Sequence, residues 1–336
     1  MLDKINKESY KLISFFQTIR LQNSFKTFNT HPLPCYRYYS TAFYLLNLKD
    51  GRLASTSEER TTLKIYSKDT FEPQISINKH SDIIYQIIQL NNDNILTCSR
   101  DNTMNIIKLI NDNNYSLEQK LTGHSSYVFR AIEIRNNELI SVSNDKTMKI
   151  WNLNNNNKYE CINTINFQNS NSSCNILKIN ENEFVTYSYG DKYLKFWKSN
   201  NYSNISTIDN INVTFNSTWN SPPPLCKLDD DILCIVGDCI YLIKISTHQL
   251  IKNITDSKKI YSIYKCLDRL FLCLVHEKGN RSLIKYKYRN QNLIKIIEKE
   301  NVDTNSDSDS ISIELNGEII VSVHYMMGHF LLLWRS

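Results

Sequence analysis

The chain has 336 residues, more than twice the usual domain length, so either two domains or one large repeated domain is expected. Its 41% hydrophobic and 22% charged residues mark a folded chain, seven Gly and six Pro exclude collagen-like or Pro/Gly-driven disorder, and no apolar run reaches the ~18 residues of a membrane-spanning helix. The net charge of +5 is 39 Lys+Arg against 34 Asp+Glu, with no basic block, which speaks against a dedicated nucleic-acid binder.

Residues 1–22 open the chain. Asp3 and Glu8 stand where a secretory leader carries only positive charge, so no secretory route is expected. Leu2, Ile5, Leu12, Ile13, Phe16 and Ile19 fall on one face of a short amphipathic helix, read as packing on the body of the protein or docking a partner. The nine cysteines are odd in number and form no CxxC pair, and most lie in apolar runs, so they are read as small buried hydrophobes of a reduced protein. A cytoplasmic location is expected, with the nucleus as the alternative.

From residue 43 onward the chain repeats itself. Residues 43–66 end in LASTSEERTTLKIYS. Residues 79–109, KHSDIIYQIIQLNNDNILTCSRDNTMNIIKL, align without a gap on 123–153 of the unit at 121–153, LTGHSSYVFRAIEIRNNELISVSNDKTMKIWNL. The latter unit predicts a strand over 128–134, a turn at Asn136-Asn137, a strand over 138–143, a tight turn over 144–147 and a strand over 148–153. Alternation at Ile132/Ile134 and Met148/Ile150 is that of half-buried strands. FVTYSYGDKYLKFWK follows, then NSTWNSPPP (216–224), a polyproline-capable loop displaying Trp219 and read as a decoration or a partner contact. CIYLIKI and SLIKYKY continue the period. The acidic stretch NVDTNSDSDS (301–310) reads as a solvated loop, with Ser306, Ser308 and Ser310 as candidates for acid-directed phosphorylation. HFLLLWRS ends the chain.

Tyr66, Ile107, Trp151, Trp197, Ile243, Tyr286 and Trp334 each close a short strand, at spacings of 41, 44, 46, 46, 43 and 48 residues. A period in this range marks a propeller or an array. Helical arrays are excluded, because no unit holds 10–15 residues of helical periodicity. Gly123-His124, Ser141, Asp145 and the terminal Lys-Ile-Trp151 resemble a WD repeat. The resemblance is strongest over 121–153, good over 79–109, and reduced to period and strand pattern over 209–300. None of the seven copies has the family's Asp after the Trp: Asn152, Lys198 and Arg335 stand there. The fold this implies is all-β, a seven-bladed β-propeller of four-stranded antiparallel blades over residues 23–336, closed by an N-terminal strand at 23–28.

The same resemblance implies a buried chain of hydrogen bonds through His124, Ser141, Asp145 and Trp151. A shorter version is implied at His80, Thr97 and Asp101, since Ile107 has no donor. A Ser-His-Asp catalytic reading of these residues needs an exposed nucleophile and an oxyanion hole, and the trio's appearance in two units favours structure. His31, His248, His276, His324 and His329 lack metal-ligand spacing, and GxGxxG, GxxxxGK[ST] and GxSxG are missing. No catalytic residue, metal or cofactor is therefore assigned. In WD-repeat propellers the residue after the first apolar position of the innermost strand often faces the central opening. That slot holds Phe43, Tyr85 and Phe129 in the first three units, with Cys174 and Ser310 in the fourth and seventh. With Arg130 and Gln86 beside them, the three rings are expected to form an aromatic lip that anchors partner proteins or peptides, against the reading that they fill space where strands converge.

The function expected is a non-catalytic protein-interaction scaffold. The alternative, a substrate-recognition subunit of a ubiquitin ligase, is weakened by the absence of a W-D-x-R signature. A phosphoinositide-binding propeller is disfavoured because FRRG is missing: Phe129-Arg130 is followed by Ala131.

Overall fold

A computed structural model describes the backbone over residues 45–334, apart from 57–59, 69–72, 168–173, 210, 212–224, 237–238, 256–258, 267–269, 278–279, 290–291, 300–309, 316–317 and 326–327. Side chains are described from 46 to 255 and at Ile294. The segment 1–22, the closing strand at 23–28, Phe43 and Trp219 lie outside the described residues.

The described chain is strand and turn throughout. The first sheet is β1 (Leu45–Asn47), β2 (Leu53–Thr56), β3 (Leu63–Tyr66) and β4 (Pro73–Ile77). The second is β5 (Ile84–Gln89), β6 (Ile95–Ser99), β7 (Met104–Leu109) and β8 (Tyr115–Leu121). The third is β9 (Val128–Arg135), β10 (Glu138–Ser143), β11 (Thr147–Leu153) and β12 (Tyr159–Asn166). The fourth is β13 (Cys174–Lys178), β14 (Glu183–Ser188), β15 (Tyr193–Lys198) and β16 (Asn204–Ile208). The fifth is β17 (Leu225–Lys227), β18 (Ile232–Val236), β19 (Ile240–Lys244) and β20 (Gln249–Ile254). The sixth is β21 (Lys259–Cys266), β22 (Leu270–Glu277), β23 (Asn280–Arg289) and β24 (Asn292–Lys299), and the seventh is β25 (Ser310–Leu315), β26 (Glu318–Tyr325) and β27 (Gly328–Trp334). Every sheet is an antiparallel meander in chain order; six have four strands and the seventh has three described strands. First strands lie side by side around a ring, and β25 returns to lie against β1.

The strand chemistry follows from this placement. Second strands are sandwiched between neighbouring sheets and buried on both faces, as in β6 and β10, whose sequences (ILTCS, ELISVS) mix apolar residues with buried polar ones. The outermost strand β12 is mostly exposed. The core therefore lies between sheets: Leu96, Met104 and Leu121 of the second sheet pack with Leu139, Trp151 and Tyr159 of the third. Turns and strand ends tie consecutive sheets together at one end of the ring. Lys49 Nζ donates to the Leu90 carbonyl (3.0 Å), Asn91 N–H to Glu133 (2.6 Å) and Arg135 to Ser199 (2.8 Å).

All seven repeat-defining positions fall on third strands. A register shift also recurs there in each four-stranded sheet: opposite Tyr66, Ile107, Trp151, Trp197, Ile243 and Tyr286 the fourth strand carries one extra residue. The period seen in the sequence is thus also the period of a β-bulge, which bends and twists each outer strand.

Candidate functional site

Two groups of side chains carry the chemistry: the polar chain inside the second and third sheets, and the end of the ring where first strands begin. In the third sheet the tight turn after β10 holds Asp145, and Lys146 takes a left-handed conformation (φ 71°). The Asp145 carboxylate is ringed by donors. Its Oδ2 accepts from His124 Nδ1–H (2.8 Å) and Ser125 N–H (3.0 Å), and its Oδ1 from Thr147 N–H (2.9 Å) and Thr147 Oγ1–H (2.6 Å). A carboxylate accepts only, so His124 carries its proton on Nδ1 and offers Nε2 as an acceptor. Ser141 Oγ–H fills that acceptor (2.7 Å), and Trp151 Nε1–H donates in turn to Ser141 Oγ (2.9 Å).

The electrostatics agree. Burial alone would raise the Asp145 pKa, but the bonds from His124, Thr147 and Ser125 outweigh it and hold the carboxylate far below its usual range. Burial lowers the His124 pKa against the opposing pull of Asp145, so the ring stays neutral. The second sheet repeats this 44 residues earlier: His80 Nδ1–H donates to Asp101 (2.8 Å), and Thr97 Oγ1–H donates to His80 Nε2 (2.8 Å). Asn105 Nδ2, a partner absent from the sequence reading, donates to the same ring nitrogen (3.0 Å) and to the Lys79 carbonyl (3.2 Å). In the fourth sheet only the far end of the chain is described, with Trp197 Nε1–H donating to Thr186 Oγ1 (2.8 Å).

None of these groups can act as a nucleophile. Ser141 is 0% exposed, with its hydrogen given to His124 and its oxygen to the indole. Among the described residues no group of three or more His, Cys, Asp or Glu side chains could hold a metal ion, and no helix is long and apolar enough to cross a membrane.

The expected aromatic lip is corrected where it is described. Tyr85 and Phe129 do come together, with ring centroids 5.1 Å apart at 44°. They are 7% and 1% exposed, however, and pack in the core shared by the third and fourth sheets. Burial pushes the Tyr85 phenol up to about 12. Arg130 faces inward as well: its Nη1–H donates to the Tyr85 carbonyl (3.2 Å), while Gln86 Oε1 accepts from Ala131 N–H (2.6 Å), so β5 and β9 are stapled by side chains. The physical reason is a bulge. Ile84 opposes Ser99 and Gln86 opposes Cys98, and likewise Val128 opposes Ser143 and Arg130 opposes Val142, so Tyr85 and Phe129 are the extra residues between ladder positions.

The bulge recurs in the sixth sheet, where Ile260 opposes Val275 and Ser262 opposes Leu274, placing Tyr261 in the same slot. Counting along the sequence misses Tyr261 because that hairpin is longer: fifteen positions separate Phe271 from its partner Tyr286, where twelve separate Leu139 from Trp151. Cys174 and Ser310 are not in the slot. They oppose Ser188 and Val323 without a bulge and so take the register place of Val128.

The solvent-facing side chains at this end of the ring are others. The turn after β6 carries Arg100, and the connections into β5 and β9 carry Asp82, Ile83 and Tyr127, all partly exposed. The Arg100 guanidinium lies 4.9 Å from the centroid of the Tyr127 ring, its Nη2–H donates to the Tyr127 hydroxyl (3.4 Å), and its Nε is 3.7 Å from Asp82 Oδ2. Sequence reasoning passed over Arg100 because its equivalent in the next unit is Asn144.

A ring of sheets closed by its innermost strands and locked by buried His–Asp–Ser/Thr chains defines a β-propeller. The family model described as "WD domain, G-beta repeat" matches residues 115–152, which run from the last strand of the second blade through the third strand of the third. Among 1324 matching solved chains, one described as "Crystal Structure of Mitotic Checkpoint Complex" is similar with a TM-score of 0.65 and 13% identity, covering 92% of this chain and 96% of that one. At that identity the likeness shows the fold alone. No curated protein matches the sequence.

Proposed function

We propose that this protein is a non-catalytic scaffold that binds partner proteins or peptides on the surface of its propeller. The observation that carries this reading is the sealing of both His–Asp–hydroxyl sets inside the blades, which turns the residues of catalytic type into structural locks. What remains at the surface is a rigid end face with short turns from adjacent blades, where Ile83, Arg100 and Tyr127 are partly exposed. Aromatic and Arg side chains anchored on a rigid frame are the residue types that dominate interface energetics.

The test is comparative affinity capture with the full chain. Wild type is set against Ile83→Asp/Tyr127→Ala on the end face and against Ile162→Asp on the exposed outer edge of the third blade, all with unchanged melting temperatures. A partner retained by the edge variant and lost by the end-face variant is the expected result. Identical partner sets for all three would sink the end face as the docking surface, and turnover of a substrate would sink the non-catalytic reading. The narrower reading, a substrate-recognition subunit of a ubiquitin ligase, requires ligase subunits among the captured proteins.

A further inference from the structure

Arg100 is poorly satisfied by its own chain. A guanidinium has five N–H donors. Among the described residues only Nη2–H meets an acceptor, the Tyr127 hydroxyl at 3.4 Å, and the buried Nε has no hydrogen-bond partner. Asp82 is the carboxylate beside it, but Oδ2 stops 3.7 Å from Nε while Oδ1 is held by Ile83 N–H (2.8 Å), so the two do not close into a bidentate pair. The side chain is nevertheless held beside Tyr127, with Cζ 4.9 Å from the centroid of that ring. At 39% exposure the outer edge of the fork is open to solvent.

Two further arginines lie near Tyr85. Arg60, in the first blade's turn between second and third strands, and Arg100 both act electrostatically on Tyr85, and Arg130 bonds the Tyr85 carbonyl. Arg60 is buried at 4% exposure and Arg130 bonds the Tyr85 carbonyl, whereas the Arg100 side chain is 39% exposed. Asp82 is the carboxylate that acts on the same ring.

We propose that Arg100, held beside Tyr127, is the anchor that receives a carboxylate from an acidic segment of the partner. This rests on the scaffold reading above and specifies its ligand chemistry. A planar fork matches a carboxylate with two parallel bonds. A single fork beside one aromatic and one aliphatic side chain suits one acidic side chain with an apolar neighbour. A nucleic-acid backbone instead demands a run of cations spaced along the surface.

The experiment is fluorescence anisotropy on the full chain with a short labelled poly-glutamate peptide, against a poly-glutamine peptide and a short oligo-dT strand. Wild type should bind poly-glutamate and not poly-glutamine. Arg100→Ala should weaken binding about tenfold or more, Arg100→Lys should fall between because charge survives without the fork, and Asp82→Asn should tighten it. Unchanged melting temperatures for the variants keep the comparison clean. Equal binding by Arg100→Ala and wild type, equal binding of the two peptides, or tighter binding of oligo-dT would each overturn the proposal. If captured partners are lost with Tyr127→Ala and kept with Arg100→Ala, the scaffold reading stands and the carboxylate anchor falls.

Discussion

The second and third blades are the same device built twice, with one part exchanged. Contact for contact, Asp101 repeats Asp145: the bonds from His80 and Ser81 to one oxygen and from Thr103 to the other have their equivalents 44 residues later. Even the preceding serines match, since Ser99 and Ser143 each donate to the carbonyl of an interblade connection at 3.1 Å. The exchanged part is the last link. The third blade ends its chain at the Trp151 indole, whereas the second has Ile107 there and brings Asn105 to the histidine instead.

That exchange propagates to a residue distant in sequence. Gly123 has φ +151°, and a Cβ on it would sit 3.2 Å from Trp151 Cη2, so a larger residue there would be strained and would press on the indole. The second blade has no indole and places Lys79 at the equivalent position. The Gly-His pair of a WD repeat is therefore as much a statement about the tryptophan as about the turn. A polar chain can close in two ways, and the second costs an acceptor: Asn105 Oδ1 is buried without a hydrogen-bond partner among the described residues.

The largest expected effect on this comparison comes from Trp151→Ala, which removes a buried indole and leaves Ser141 without its donor. It should cost about 3–5 kcal/mol in denaturant unfolding. Next come the hydroxyls. Ser141→Ala leaves the indole N–H without an acceptor and the His124 Nε2 without a donor, for about 1–3 kcal/mol, whereas Thr97→Val leaves His80 still served by Asn105 and should cost less. Equal losses at the two sites would show that Asn105 does not substitute for the indole.

Gly123→Ala should destabilise by about 1–2 kcal/mol through strain and the contact with the indole. In a double-mutant cycle with Trp151→Ile the two losses should be less than additive, and strict additivity would break the link between glycine and indole. The smallest effect is in the pH profile. His124 has a lowered folded pKa, so the unfolded chain binds the extra proton and stability falls as pH drops below about 6.5. Asp145 and Asp101, depressed in the fold, contribute stability present above about pH 4 and lost as pH falls through their folded values. Melting temperatures of His124→Asn and wild type should therefore converge between pH 7 and 5, and a constant gap would refute the neutral-histidine assignment.

The legibility of the blades tracked these differences. The third blade spells out every member of its chain and can be read from its residues alone, and the second reads by ungapped alignment with the third. The sixth could only be counted, because its longer hairpin shifts Tyr261 off the uniform period and its third strand, KYKYR, lacks the marker tryptophan. The aromatic slot shows the converse. Phe129 and Tyr85 were found by their residue type and position, yet whether a ring faces solvent or a neighbouring blade is set by a bulge that leaves no mark in composition.

By itself the sequence determined the strand pattern and the repeat, and its resemblance to a WD repeat picked out the locking residues. These depend on spacing along one chain and on chemistry that each unit carries within itself. Tertiary structure alone decided what lies between units. It turned the apolar second strands into two-sided cores, stapled β5 to β9 through Gln86 and Arg130, and buried Tyr85 and Phe129. It also brought Arg60 and Arg100 within electrostatic reach of Tyr85 and set Arg130 on the Tyr85 carbonyl. The physical reason is that burial and field depend on which surfaces meet across blades, and ring closure brings together residues that no local period connects.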